Sequence, residues 1–252
     1  MTRRLAAALV LVIASAACRS AGPVTTPGPP SAAPAPALAP TSAMKVAEPT
    51  AIRWARGSAE HRALFLQVFR QAAAYVEREA AKRVAGSWAV VLDADETVID
   101  NSTYQLEQAR LGRPFEPETW SAWVKRRQAT PLPGAAAFLE RVRALGGRIA
   151  IVTNRSAAEC PDTEAVFKAQ ALAYDVMLCK QGPSDKNPRF EALARGAAGL
   201  PPLEVVAFLG DNVNDFPGQS QAIRTQGDGA FAEFGARFFV VPNAMYGSWE
   251  SN

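Results

Sequence analysis

Short apolar runs that each break off at a polar residue constrain this chain most strongly. Residues 88–92 (WAVVL) stop at Asp93, and residues 148–153, 176–178, 205–209 and 238–241 repeat the signature. Such runs suit strands of a parallel sheet that helices cover on both faces. Helical patterns at 134–145, 162–172 and 188–198 separate the middle runs. Strand therefore alternates with helix, which predicts an α/β architecture built on a parallel sheet. Ahead of the first run, residues 58–83 place Leu64, Val68, Ala72, Tyr75 and Val76 near the helical period, with Ser58 as cap and Glu60 in the first turn. This predicts a long amphipathic helix, whose apolar face can serve a homodimer or the chain's own core. Residues 101–133 interrupt the rhythm with Trp120, Trp123 and several charges, and read as an insertion over one end of the sheet.

The N-terminal fifth has a different character. Residues 1–18 carry Arg3 and Arg4, an apolar run from Leu5 to Ile13, and then Ser15-Ala16-Ala17-Cys18. The run is too short to span a bilayer and reads as an export signal. Small residues before Cys18 resemble the lipobox of bacterial lipoproteins, with Ser15 where Leu is usual, so Cys18 is the expected lipidation site. Arg19 in place of an Asp implies an outer-membrane destination, facing the periplasm or the exterior. Residues 19–50 follow, rich in Pro, Ala, Ser and Thr up to about residue 44. That composition cannot bury enough surface to offset ordering, and it reads as a tether or as a leader with no spacing role. The folded domain is expected over 51–252.

Composition removes several functions. The formal charge is +3, and loss of a leader holding Arg3 and Arg4 leaves about +1, too little for a nucleic-acid binder led by bulk charge. One histidine excludes mechanisms and metal cages that need two, and three cysteines exclude a disulfide-dense scaffold. Cys160 and Cys179 each follow a predicted strand, at one edge of the sheet. A bridge and two buried thiols both fit.

In open α/β sheets ligands bind beyond the carboxyl ends of the strands, so the polar residues there carry the chemistry. The first run delivers Asp93-Ala94-Asp95-Glu96-Thr97, the second ends in Thr153-Asn154-Arg155, a later loop offers Lys186, and the fourth ends in Gly210-Asp211 with Asp215 beyond. Carboxylates, a hydroxyl or amide, and a lysine are the parts of metal-assisted phosphoryl transfer to a carboxylate nucleophile. At i and i+2 on a strand-to-loop turn, Asp93 and Asp95 can face one ligand while Ala94 points away.

These clusters resemble the haloacid dehalogenase superfamily. Residues 54–63 (WARGSAEHRA), 90–104 (VVLDADETVIDNSTY), 123–134 (WVKRRQATPLPG) and 241–250 (VPNAMYGSWE) are similar to the bacterial lipoprotein class C acid phosphatases, a family that includes lipoprotein 5'-nucleotidases. The resemblance implies a Rossmann-like parallel sheet flanked by helices, with a small, mainly helical cap. It implies Asp93 as nucleophile and Asp95 as general acid and base. Mg²⁺ would be held by Asp93, Asp211 and the backbone carbonyl of Asp95, with Asp215 orienting a metal-bound water. Thr153, Asn154 and Lys186 would bind the phosphoryl group. Crowding by acidic groups is expected to start Asp95 protonated. Trp120 and Tyr246 match places where nucleotide-using relatives stack a base, and packing of the insertion and tail is the alternative for both. Trp123 reads as core, His61 as surface or weakly site-lining, and Glu96, Asp100 and Asn101 as part of the motif block without separate roles.

The expected function is a Mg²⁺-dependent phosphatase acting on small phosphate monoesters, nucleoside 5'-monophosphates among them. It would be tied to the membrane through Cys18 and have no nucleic-acid polymer as partner. A phosphotransferase of the same fold and a ligand-binding surface lipoprotein without turnover are the alternatives.

Overall fold

All five residues of β1 (Trp88–Leu92) are buried, as a strand covered on both faces requires. The computed structural model describes Gly28, residues 47–196 and residues 199–251. The export signal, Cys18, and the tether to residue 46 apart from Gly28 lie outside the described residues. Ahead of β1 come α1 (Thr50–Gly57) and α2 (Ala59–Ala80). After it the chain forms β2 (Ile99–Asp100), α3 (Ser102–Leu111), α4 (Pro117–Arg126), β3 (Thr130–Pro131) and α5 (Ala135–Ala144). It continues with β4 (Arg148–Ser156), α6 (Cys160–Ala169), β5 (Val176–Lys180), α7 (Asn187–Arg195), β6 (Glu204–Gly210) and β7 (Phe238–Val240). Among the described residues no helix is long and apolar enough to cross a membrane.

The main sheet is parallel, in the order β5-β4-β1-β6-β7. The expected α/β fold is observed. β1 sits in the middle, and connections leave it to both sides, so a crevice opens where β1 ends between β4 and β6. Leu92 pairs with Ile151 on one side and Leu209 on the other. Alternate side chains face opposite layers. Val90, Leu92, Ile149 and Ile151 pack with Phe65, Phe69, Phe138 and Leu139 from α2 and α5. Val91, Ala150, Val152 and Phe208 pack with Phe190 and Leu193 of α7.

The start of α2 is as expected: the Ser58 hydroxyl accepts from the His61 N–H at 3.0 Å. Its buried face is as expected at Ala72 and Val76 and differs at its start. His61, Phe65, Phe69, Ala72 and Val76 face inward, while Leu64 is 39% exposed. The two phenylalanines bury more surface than the Leu64–Val68 line and turn the helix by one position. Of the two readings of His61, surface or weakly site-lining, the surface one is not observed. His61 lies one turn before Phe65 on the buried face, with its ring 4.7 Å from Phe65 and 5.1 Å, edge-on, from Trp54. The apolar stripe of α2 goes into the chain's own core.

β4 runs three residues beyond its expected end at 153, and β5 two beyond 178. The insertion is the pair α3 and α4, closed at its base by antiparallel pairing of β2 and β3. A disulfide joins Cys160, the first residue of α6, to Cys179 in β5, with Cα atoms 6.0 Å apart. Of the two readings of these cysteines, the bridge is the one observed.

Candidate active site

The β1 ladder extends one residue past the strand, since the Asp93 N–H bonds the Leu209 carbonyl at 3.0 Å. Asp93 is thereby fixed at the floor of the crevice. Lys186, immediately before α7 and 3% exposed, donates from Nζ to Asp93 Oδ1 at 2.6 Å and lies 2.7 Å from Asp215 Oδ1. Asp215 accepts the Asn212 N–H at Oδ2, 2.9 Å. A side chain at Gly210 would strike the Asp215 carboxyl, so glycine is what lets β6 and Asp215 approach. Asp211 is held at both oxygens, by Thr97 Oγ1 at 3.3 Å and by Asn243 Nδ2 at 2.8 Å.

Oxygens of Asp93, Asp211 and Asp215 lie within 4.8 Å of one another. Burial pushes the Asp93 carboxyl up; Lys186 opposes the shift, and Asp215 and Asp95 add to it. Burial likewise raises Asp211, reinforced by Asp215 and Asp93. Burial also disfavours the charge on Lys186, but Asp215 and Asp93 outweigh it and hold its pKa above the usual lysine value. One lysine faces three carboxylates, and the remaining negative charge with hard oxygen donors fits a divalent cation. Asp215 is a member of this oxygen cluster, with Lys186 at one oxygen and a backbone N–H at the other.

The Asp95 side chain turns away from that cluster. Arg155 Nη2 donates to Asp95 Oδ1 at 2.7 Å, and Nε reaches Oδ1 at 3.0 Å and Oδ2 at 3.2 Å. The surroundings of Asp95 are thus not the purely acidic ones expected from sequence, because Arg155 brings a buried positive charge. Arg155 is 2% exposed and is also tied to Thr163 at 3.1 Å. The sequence places it in the strand-end cluster without a role, although it stands two residues after Thr153 on the same strand, a same-face spacing like that of Asp93 and Asp95. Asn101, named in the motif block without a role, donates from Nδ2 to Asp95 Oδ1 at 2.8 Å. Glu96, at φ 51°, accepts the Asn101 N–H at 2.8 Å and closes the turn that holds Asp95.

Thr153 is fully buried, and its hydroxyl accepts the Arg155 N–H at 3.1 Å. Asn154 is exposed and accepts at Oδ1 from Arg189 Nη2 at 2.6 Å. A cavity of about 700 Å³ brings together Asp93, Asp95, Asn154, Arg155, Lys186, Asp211 and Asp215. Phe115, Trp120, Met245 and Tyr246 complete its wall. Trp120 lines the cavity and packs edge-on against Tyr104, 5.2 Å between centroids. Trp123 is core, as expected, at 2% exposure.

Buried carboxylates and a lysine at the mouth of a parallel α/β sheet are the parts of an α/β phosphatase. The family model described as HAD superfamily, subfamily IIIB (acid phosphatase) matches residues 36–249, and the chain belongs to that family. The class C acid phosphatase from Bacillus anthracis is similar at TM-score 0.72 and 29% identity, over 80% of this chain and 85% of that one. The structure of that enzyme with tungstate bound is similar at TM-score 0.71 and 28% identity, over the same shares of 80% and 85%. The chain is an acid phosphatase, a hydrolase of phosphate monoesters.

Proposed function

We propose that the chain is a Mg²⁺-dependent phosphatase working through an aspartyl-phosphate at Asp93. The observation that carries this is the buried bond from Lys186 to Asp93, which supports the carboxylate in its charged form and aims one oxygen at Lys186. Asp93, Asp211 and the backbone carbonyl of Asp95 would hold the cation, with Asp215 beside them. Bound there, Mg²⁺ would offset charge on the phosphoryl oxygens. Asp93 attacks phosphorus as the bond to the ester oxygen breaks, and the bonding pair leaves with that oxygen. Asp95 gives the oxygen a proton, releasing the alcohol. Water then attacks the phosphoryl group, Asp95 takes a proton from that water, and the pair of the P–O bond returns to Asp93. Lys186, Asn154 and the Thr153 segment hold the phosphoryl group. That the Bacillus anthracis relative binds tungstate, a tetrahedral oxyanion like phosphate, supports this reading.

Release of p-nitrophenol from p-nitrophenyl phosphate should require a divalent cation and disappear in Asp93→Asn. Equal rates in both proteins would defeat the assignment, and so would inversion at a chiral, isotopically labelled phosphorus. Trp120 and Tyr246 support a leaving group with a planar ring, such as a nucleoside. Trp120→Ala should then cost nucleoside monophosphates more than glycerol phosphate. The sequence around Cys18 supports a lipid anchor in the bacterial envelope; Cys18→Ser should abolish labelling by radioactive palmitate.

A further inference from the structure

Asn101 is fully buried, and both polar atoms of its side chain are engaged. Its Oδ1 accepts from the Trp123 indole Nε1 at 2.8 Å and from Arg155 Nη2 at 3.1 Å. Its Nδ2 donates to Asp95 Oδ1 at 2.8 Å and to Glu96 Oε2 at 3.4 Å. An indole and a guanidinium only donate, so the amide has a single workable orientation. Turned over, it would set N–H against N–H on one side and oxygen against carboxylate on the other.

This orientation divides the two oxygens of Asp95. Oδ1 receives Arg155 Nη2 and Nε and Asn101 Nδ2, at 2.7, 3.0 and 2.8 Å. Oδ2 receives one 3.2 Å contact from Arg155 Nε. We infer that Trp123 and Asn101 are positioning residues for Asp95, occupying Oδ1 so that Oδ2 is the oxygen that carries the proton to the leaving group. The inference rests on the reading of Asp95 as general acid. In the first step Asp93 closes on phosphorus, the ester oxygen departs with the bonding pair, and the proton passes to it from Asp95 Oδ2. Trp123 stands one turn after Trp120 on α4. The helix that meets the leaving group through Trp120 therefore also sets the acid, through Trp123. The insertion belongs to the proton-transfer apparatus as well as to the wall of the cavity.

Trp123→Phe in the full chain keeps the ring and removes the N–H. The quantity to measure is kcat/KM, which reports only the steps through phosphorylation of Asp93, for a series of aryl phosphates and one alkyl phosphate. A good leaving group needs little help from an acid, whereas an alkoxide needs a proton. The loss should grow from about threefold with p-nitrophenyl phosphate to about thirtyfold with the alkyl ester. The same loss for every ester would mark a merely structural role and overturn the inference, and so would no loss at all. Failure of the phosphatase reading would appear elsewhere, as wild-type rates in Asp93→Asn. Should Trp123→Phe not fold, the folded wild type labelled on indole nitrogen gives the answer. The Trp123 N–H resonance should move in Asp95→Asn, and an unmoved resonance would overturn the inference.

Discussion

Gly210 shows how little freedom single residues have here. Gly210→Ala should force Asp215 off Lys186, lowering kcat about 10²-fold, as small misplacements in a preorganised site do. It should also cost about 1–3 kcal/mol of stability from overpacking, read from the urea midpoint. Arg155→Met should lower kcat/KM about 10²-fold or more, because Asp95 loses the partner that orients it. Arg155→Lys should recover only part of this, since an ammonium cannot fork across a carboxylate. Asp93, Asp95, Lys186 and Asp211 were legible in the sequence because each stands at a fixed place relative to a strand end. The roles of Arg155 and Asn101 were not, because their worth lies in partners that the chain brings together only on folding. Arg155 is 60 residues from Asp95, and no local pattern announces that meeting.

The same contrast holds for elements. β1 spans the residues read from its apolar run, because a strand buried on both faces has a sharp edge in hydropathy. β4 outran its expected end because Asn154, Arg155 and Ser156 are polar, yet their backbone stays extended to carry the site. The first two turns of α2 bury His61 and Phe65 where the apolar pattern points to Leu64, and this has a pH consequence. Burial pulls the pKa of His61 below the ordinary 6.5, with Asp100 opposing. The unfolded chain then takes up a proton that the folded chain resists. This contribution is intact above pH 6.5 and is lost as pH falls below it. Between pH 7.5 and 5 the urea midpoint of the wild type should fall more steeply than that of His61→Gln. As this is the sole histidine of the chain, the difference between the two curves has one source. Replacing Cys160 and Cys179 together by Ala should cost about 3 kcal/mol, from loop-closure entropy over a separation of 19 residues. Denaturant curves with and without reductant provide the check.

At the scale of the whole molecule, the dominant feature is an excess of buried negative charge at one end of the sheet. A cation that binds only the folded chain should stabilise it by about 2.7 kcal/mol at a concentration one hundred times its Kd. A chelator should therefore lower the Tm of the wild type, and the drop should shrink in Asp211→Asn. A Tm indifferent to chelation would show that the three carboxylates hold no ion. The segment after β7 turns back to finish this end: the Val241 N–H bonds the Gly210 carbonyl, Asn243 holds Asp211, and Ser248 Oγ bonds Asn212 Oδ1 at 2.7 Å. That return has a consequence in time. While the ribosome is still short of residue 243, the sheet can assemble but the clasp on Asp211 does not yet exist. Until Asn243 has been added, Asp211 lacks the 2.8 Å bond at Oδ2 that holds it in the crevice.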